Sequence, residues 1–296
     1  MPSYNFKREA DLFIVHNGNR YSLDIRDVSF SQNFGEKSYP VKNLHNPTDY
    51  FEGSVVNKAN PANFSLEVYA IEEADFTIVE SLLISTSSFD IYVQTPTDVF
   101  KLETCVITNG SFVIEKSRPL SIAIQGEASK LTRGASLAGS LQSRSATKTF
   151  IAPPILEVTL GSATLTDIVK VTVELQNDIQ WLPYETLNAS LVASSAANSM
   201  YPGGYVVTKK ILAGSISQYL TDTNTSNVQA WDTSVSLEIK AGNGLSGSQF
   251  RGLHLGSATS TFTNRMNTGS VFLQNYDWRI TDNSSSLATI LKYVTN

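Results

Sequence analysis

The sequence predicts a mainly β protein of two tandem β-sandwich or barrel domains, the first flanked by an α-helix and the two related by internal duplication. Three observations carry that expectation. Apolar and polar residues alternate with period two over most of the chain, in segments rich in Val, Ile, Thr, Phe and Tyr. Only one segment carries a convincing helical apolar stripe. Asp24 to Phe30, DIRDVSF, is answered by Asp167 to Val173, DIVKVTV: each begins Asp-Ile, passes two residues, then places Val, a small hydroxyl residue (Ser29 or Thr172) and a bulky apolar one.

In chain order, LFIVHNGNRYSLDI predicts two short strands joined at Asn17-Gly18, because a two-residue hairpin turn needs residues that accept φ > 0. DVSFSQNF continues as a strand with Val28 and Phe30 on one face and Ser29 and Ser31 on the other. KNLHNPTDYFEGSVVNKANPAN has two Asn-Pro steps and no clear period, so Lys42 to Asn63 predicts a long irregular loop before FSLEVYA alternates again. EEADFTIVESLLIS predicts the helix, Glu72 to Ser85, with acidic residues in its first turn and Phe76, Val79, Leu82 and Leu83 as its apolar stripe. FDIYVQT, VFKLETCVIT, SFVIEKS and LSIAIQGEA predict four further strands, with turns at Asn109-Gly110 and Arg118-Pro119 between the last three.

From Ser129 to Pro153 the composition shifts to Ser, Ala, Gly and Thr with Lys130, Arg133, Arg144 and Lys148 and no acid. This predicts a basic linker, residues 130–152, between domains at 1–129 and 153–296; a solvated tether and a strap docked on a neighbouring subunit are both open to it. Beyond it, ILEVTL and LTDIVKVTVELQ stand where the first hairpin and DVSFSQ stood. Glu185 to Thr208 answers the long loop, and AGSISQYL answers NFSLEVYA through Ser65/Ser215, Leu66/Ile216 and Tyr69/Tyr219. VFLQNYDWRITDNSSSLATIL parallels VITNGSFVIEKSRPLSIAI, pairing Asn109 with Asn275, Phe112 with Trp278, Ile114 with Ile280 and Leu120 with Leu287. The helix is not rewritten: TDTNTSNVQAWDTSVS supports at most a short one around Val228 to Trp231, and AGNGLSGSQFRGLHLGSATSTFTNRMNTG reads as an insertion.

Composition narrows the chemistry. A chain of 296 residues with 41% apolar and 17% charged residues is globular, and a net charge of −5 argues against a general nucleic-acid binder, which needs a basic face to displace counterions. The only cysteine, Cys105, lies in a strand pattern and reads as a buried thiol that forms no internal disulfide. The N-terminal MPSYNFKREADLF does not read as a signal peptide, and no apolar run is long enough to span a bilayer. His16, His45 and His254 lie far apart without acidic or thiol partners at ligand spacing, so no metal or cofactor site is expected. No phosphate-binding Gly-rich loop precedes a helix, and no nucleophile elbow appears, so no catalytic residue is assigned. Glu72-Glu73 stand at a helix start, where capping is their reading. Trp181 and Trp278 fall in apolar register and are expected in the core.

The faces opposite the apolar ones are small, hydroxylic and mildly acidic. They carry Ser29, Ser31, Ser65, Glu67, Glu115 and Ser121 in the first half, and Thr172, Glu174, Gln176, Ser215, Ser217 and Asp277 in the second. A half-exposed antiparallel sheet accounts for such a face. Open sheet edges must be paired or covered, however, and copies of one chain that pair edges would close a ring with the polar face inward.

On DVSFSQNFGEKSYPV with its long loop, FSLEVYA, the helix and CVITNGSFVIEKSRPLSIAIQGEA, answered by VTVELQNDIQWLPY, GSISQYL and NYDWRITD, the chain resembles the major tail tube proteins of long-tailed (siphovirus-like) bacteriophages. The similarity is greatest to the subclass whose subunit is a fused duplication; the poorly written second helix departs from it. The resemblance implies two tail-tube-like domains, three chains in a pseudo-sixfold ring, and rings stacked into a tube. The polar residues above would face the lumen, and loops carrying Asn43, Tyr50, Phe51, Tyr201 and Tyr205 would reach the next ring. It further implies a structural virion protein and not an enzyme, made in the bacterial host cytoplasm and carried in the tail. Its partners would be copies of itself and other tail proteins (tape measure, tail tip, terminator), with DNA passing unbound and no membrane insertion. Two other readings stay open from the residues alone. One is a β-sandwich module recognising carbohydrate or protein through exposed Tyr50, Tyr201 and Tyr205. The other is a glycoside hydrolase pairing two of Glu67, Glu103, Glu115 and Glu174.

Overall fold

The computed structural model describes residues 9–41, 51–69, 77–116, 118–143, 155–182, 200–224, 234–243 and 250–294. The first half contains β1 (Asp11–His16), β2 (Asn19–Leu23), β3 (Ile25–Ser31), β4 (Phe34–Val41), β5 (Phe51–Ala59), β6 (Ala62–Tyr69), α1 (Thr77–Ser85), β7 (Phe89–Gln94), β8 (Val99–Glu115), β9 (Ser121–Arg133) and β10 (Ser140–Leu141). The second contains β11 (Ile155–Leu160), β12 (Ala163–Thr164), β13 (Ile168–Trp181), β14 (Tyr205–Tyr219), β15 (Val235–Asn243), β16 (Arg251–Thr268), β17 (Phe272–Ile280), α2 (Leu287–Ile290) and β18 (Leu291–Val294). The fold is mainly β, as the alternation predicts.

Apart from the β4–β5 hairpin, these strands form one 16-stranded sheet. Within it the two halves follow the same path. The first half pairs β2-β1-β7-β8-β9-β6-β3 and the second pairs β12-β11-β15-β16-β17-β14-β13. Irregularities recur at matching places. The ladder shifts between Ile25 and Asp27 in β3 and between Ile168 and Lys170 in β13, and again between Phe89 and Ile91 in β7 and Val235 and Leu237 in β15.

The halves are joined strand to strand. β8 pairs β9 along one edge, while its other edge takes β7 over Val99–Cys105 and β13 over Asn109–Glu115. The apolar faces meet in one hydrophobic cluster drawn from both halves, with Phe64, Phe112, Ile122, Val171, Val173, Ile216, Phe262, Tyr276 and Trp278 all buried. At about 25 cal/mol per Å² of apolar surface removed from water, such side chains dominate the gain on folding. Helix α1 buries Val79, Leu82 and Leu83, the described part of the expected stripe; Phe76 and the acidic first turn lie outside the described residues. Its C-terminal carbonyls, which a helix leaves unsatisfied, are met across the junction. Asn177 Nδ2 donates to Leu83 O at 3.0 Å and Lys210 Nζ to Ile84 O at 2.6 Å, and one residue past the helix Tyr205 Oη donates to Thr86 O at 2.7 Å.

Several segment expectations change. The turn at Asn17-Gly18 is present, with φ of 50° and 77°. Asn109-Gly110 is no turn: β8 runs straight through it. Leu83 of α1 occupies the space a side chain at position 110 would need, since a Cβ there would lie 2.5 Å from its Cδ2. The long loop is in part a hairpin, because Phe51–Ala59 pairs Phe34–Val41; 42–50 lie outside the described residues. Likewise β13 and β14 pair outward as far as Trp181 opposite Tyr205. The supposed insertion is the end of β15 and all of β16, a strand written in small hydroxyl residues with weak hydrophobic contrast. Sheet position therefore sets β8 level with β16 and β9 level with β17. The matching of Asn109, Phe112 and Ile114 to β17 is one strand out. The start of the expected linker is sheet, with Lys130–Arg133 paired to Phe100–Glu103 and β10 paired to β2.

Candidate functional site

In an antiparallel ladder, residues directly opposite share a face. The registers of β3-β6-β9-β8-β13-β14-β17-β16 therefore define one continuous polar face across both halves. It begins with Ser29 opposite Ser65 and Ser65 opposite Gln125, then Gln125 opposite Asn109 and Asn109 opposite Gln176. It continues through Thr172 opposite Ser215, Ser215 opposite Asp277 and Asp277 opposite Thr263. Every polar residue singled out from the sequence falls on this face: Ser29, Ser31, Ser65, Glu67, Glu115, Ser121, Thr172, Glu174, Gln176, Ser215, Ser217 and Asp277. Ser29, Ser31 and Gln176 are exposed and most of the others half-buried. Ser121 is the exception: at 7% exposure it is buried, donating to Glu67 Oε1 at 3.0 Å.

The same hydroxyl contact marks matching places in the two halves. Ser29 and Ser65 Oγ are 2.8 Å apart, and Thr172 Oγ1 and Ser215 Oγ are 2.9 Å apart. Below each lies a large–small pair with the roles exchanged. Phe64 presses on Gly126 in the first half, and Trp278 presses on Gly214 in the second. A Cβ at Gly126 would sit 2.3 Å from Phe64 Cζ, and one at Gly214 would sit 2.5 Å from Trp278 Cζ2, so neither glycine accepts a side chain unless its neighbours move. The volume is kept while its side of the ladder is swapped, the kind of change cores tolerate best.

The face is less acidic in effect than its carboxylates suggest, because many are paired. Arg26 Nη1 lies 3.1 Å from Glu67 Oε1, Lys170 Nζ lies 2.7 Å from Glu115 Oε1, and Arg265 pairs with Asp277. The Lys170 ammonium, hydrogen-bonded to Glu115, holds that carboxyl below its ordinary range. Sequence reasoning missed Lys170 and Arg265, though strict period two from Thr172 and Asp277 would have reached them through the ladder. It also missed Gln125 and Glu127 of β9, which line a hollow of about 430 Å³ with Ser29, Ser31, Asn63 and Ser65.

The remaining expectations fare differently. Trp278 is buried at 2% exposure, but Trp181 is only half-buried and donates from Nε1 to Glu127 Oε2 at 2.5 Å. Tyr201 and Tyr205 are not free tips. Tyr201 packs edge-on against Phe34 under Lys130, and Tyr205 packs against Trp181 while its hydroxyl donates to Thr86 O, just past α1. Phe51 opens β5, opposite Val41, whereas Asn43 and Tyr50 lie outside the described residues. Cys105 is fully buried, its thiol pushed up by desolvation. Among the described residues no His, Cys, Asp and Glu side chains gather as metal ligands, and no helix is long and apolar enough to cross a membrane.

At the two ends of the polar face the ladder stops. Among the described residues β3 pairs only with β6, and β16 beyond Ser260 pairs only with β17. The model of the Bacteriophage Baseplate Tube Protein Family matches residues 2–295. The chain belongs to this family. It is thus a phage baseplate or tail tube protein, a virion component working among other tail and baseplate proteins, and a structural family of this kind points to a non-enzymatic role. None of the curated proteins matches the chain. For a baseplate tube protein the polar face and its two edges are the parts that call for an explanation.

Proposed function

We propose that copies of this chain close edge to edge into rings, three chains to a pseudo-sixfold ring, and that the rings stack into a tube whose channel is the polar face. The two halves are then a fused duplication, each supplying one sixth of the wall, the first reaching through β9 and β10 and the second starting at β11. The observation that carries this reading is the unbroken run of the polar face through both halves to an edge at either end that is unpaired among the described residues. Exposed edges of this kind invite pairing with another chain, and a heterologous contact that repeats gives a ring when its rotation closes.

The chemistry suits a conduit for DNA. A wall of Ser, Thr, Asn and Gln keeps its own hydration, so a passing duplex need not be desolvated. Carboxylates such as Glu174 and Glu127 repel phosphate, while Lys170 and Arg265 are held by Glu115 and Asp277 and do not offer the unpaired basic track that backbone binding uses. The β4–β5 hairpin and the outer ends of β13 and β14 are arms in matching places, and they are assigned to contact with the next ring. Binding through Tyr201 and Tyr205 has less support, since both rings are engaged within the chain.

Negative-stain microscopy of the purified protein tests the reading. Annular particles with a stain-filled hole, stacking into tubes at higher concentration, are expected. Monomers at every concentration would refute it. Glu174→Lys should leave rings intact and slow DNA release from phage carrying it; failure to form rings would remove Glu174 from the channel wall.

A further inference from the structure

We propose that the free edge of β3 in one chain pairs antiparallel with the outer edge of β16, Arg265–Thr268, in a second copy, setting Ser29 opposite Asn267 and Phe30 opposite Met266. This rests on the ring reading above and specifies which edges meet and in what register.

The template is the junction inside the chain. β13 holds the same place beside β14 that β3 holds beside β6, by the Thr172–Ser215 and Ser29–Ser65 hydroxyl contacts and the matching ladder shifts just before them. β16 holds the place of β8. Cys105 stands opposite Ala128 in β9 where Ser260 stands opposite Ile280 in β17, and Asn109 opposite Gln125 where Thr263 stands opposite Asp277. At the internal junction, β13 meets β8 with Thr172 opposite Val113 and Val173 opposite Phe112. Carried to the two bare edges, that register sets Ser29 against Asn267 on the polar face and Phe30 against Met266 on the apolar face. Each apolar pair joins one phenyl ring to one smaller or more flexible side chain, again with the sides exchanged.

Burial agrees. Phe112 and Leu120, beside the covered junction, are 1% and 0% exposed. Their positional counterparts Met266 and Phe272 are 55% and 53% exposed, and the neighbouring Val271 is 53% exposed. A cluster of bare apolar side chains at a bare edge is what removing one partner strand leaves behind. The partner is a second copy of this chain, because β3 and the outer part of β16 terminate opposite ends of the same strand run and, among the described residues, no strand covers either.

The test is thiol cross-linking of assembled protein. Ser29→Cys with Asn267→Cys places two exposed thiols on one face, while Cys105, fully buried, stays out of the reaction. Oxidation should give a ladder of covalent multimers on a non-reducing gel. Ser29→Cys with Met266→Cys should give none, because a one-residue slip sets the two side chains on opposite faces. Rings or tubes without the first ladder, or a ladder from the second pair, would overturn this edge assignment and leave the ring reading standing. An absence of rings at any concentration would overturn both. Met266→Asp supplies an independent check: with 55% of the residue already in water, the monomer should unfold at the wild-type denaturant midpoint. Association should weaken by ~100-fold or more, because the interface would bury an unpaired charge. Wild-type assembly by this variant would overturn the proposal.

Discussion

The β8–β13 junction and the outer edge of β16 occupy the same place in two halves of one sheet, yet one is sealed and the other bare. At the sealed place a phenyl ring and a leucine, Phe112 and Leu120, are removed from water; at the bare one Met266 and Phe272 are left in it. Strand order, the polar face and the ladder shifts in β3 and β13 are the same on both sides, although the shift between Ile107 and Asn109 in β8 has no counterpart in β16. What differs is that β13 covers the first place, while among the described residues no strand covers the second. The exposure of a side chain at a sheet edge thus follows from whether a neighbouring strand lies beside it as much as from its own residue type.

The strongest way to break the comparison is to truncate its two counterparts. Phe112→Ala should destabilise the monomer by about 3–5 kcal/mol, the cost of a large cavity in a packed core, whereas Met266→Ala should stay within about 0.5 kcal/mol. Urea unfolding of both monomers measures this; equal losses would mean that the two places are not counterparts. Next come the swapped large–small pairs. Gly126→Ala and Gly214→Ala should each cost about 1–3 kcal/mol by overpacking against Phe64 and Trp278, and a thermal melt that found only one of them sensitive would end the equivalence at that layer.

Smaller effects sharpen the picture on the polar face. Thr172→Val should cost about 1 kcal/mol and Ser29→Ala about half that. Both lose a hydroxyl contact, but Thr172 Oγ1 also accepts the Ser215 amide at 2.9 Å. Lys170→Ala should cost less than about 1 kcal/mol, since its pair with Glu115 is part-exposed. The sign with pH is set by Glu115, whose carboxyl is held low by Lys170. The pair's contribution is present above the ordinary carboxylate range and fades as pH falls through the lowered value. A difference between wild type and variant that grew on acidification would contradict the assignment. Glu80 runs the other way. Burial raises its carboxyl although it accepts the Tyr293 amide at 2.9 Å, so Glu80→Gln should raise the melting temperature at neutral pH and lose that advantage in acid.

Much of this was legible in the sequence, for identifiable reasons. Alternation gave the strands and the face, because period two is set by backbone geometry and DIRDVSF and DIVKVTV repeat it with the same small hydroxyl between apolar residues. The helix was legible from Val79, Leu82 and Leu83. The failures came where local signals are weaker than packing. Asn109-Gly110 has the composition of a hairpin turn but lies in extended backbone beneath Leu83. β16 is written in Ser, Thr and Gly, so its periodicity is faint and its role passed to β17. The pairing of Lys170 with Glu115 and of Arg265 with Asp277 joins residues that only the ladder brings together. Tyr201 and Tyr205 read as loop aromatics until α1 and β4 supply the groups they pack against.

Closure of the bare edges of β3 and β16 by another copy, as β13 closes β8 within the chain, is read by amide hydrogen exchange of the monomer and of the assembled protein. New protection is expected on assembly in β3 and in Arg265–Thr268, with β8 and β13 equally protected in both states. Assembled rings in which those two segments exchange as fast as in the monomer would contradict it.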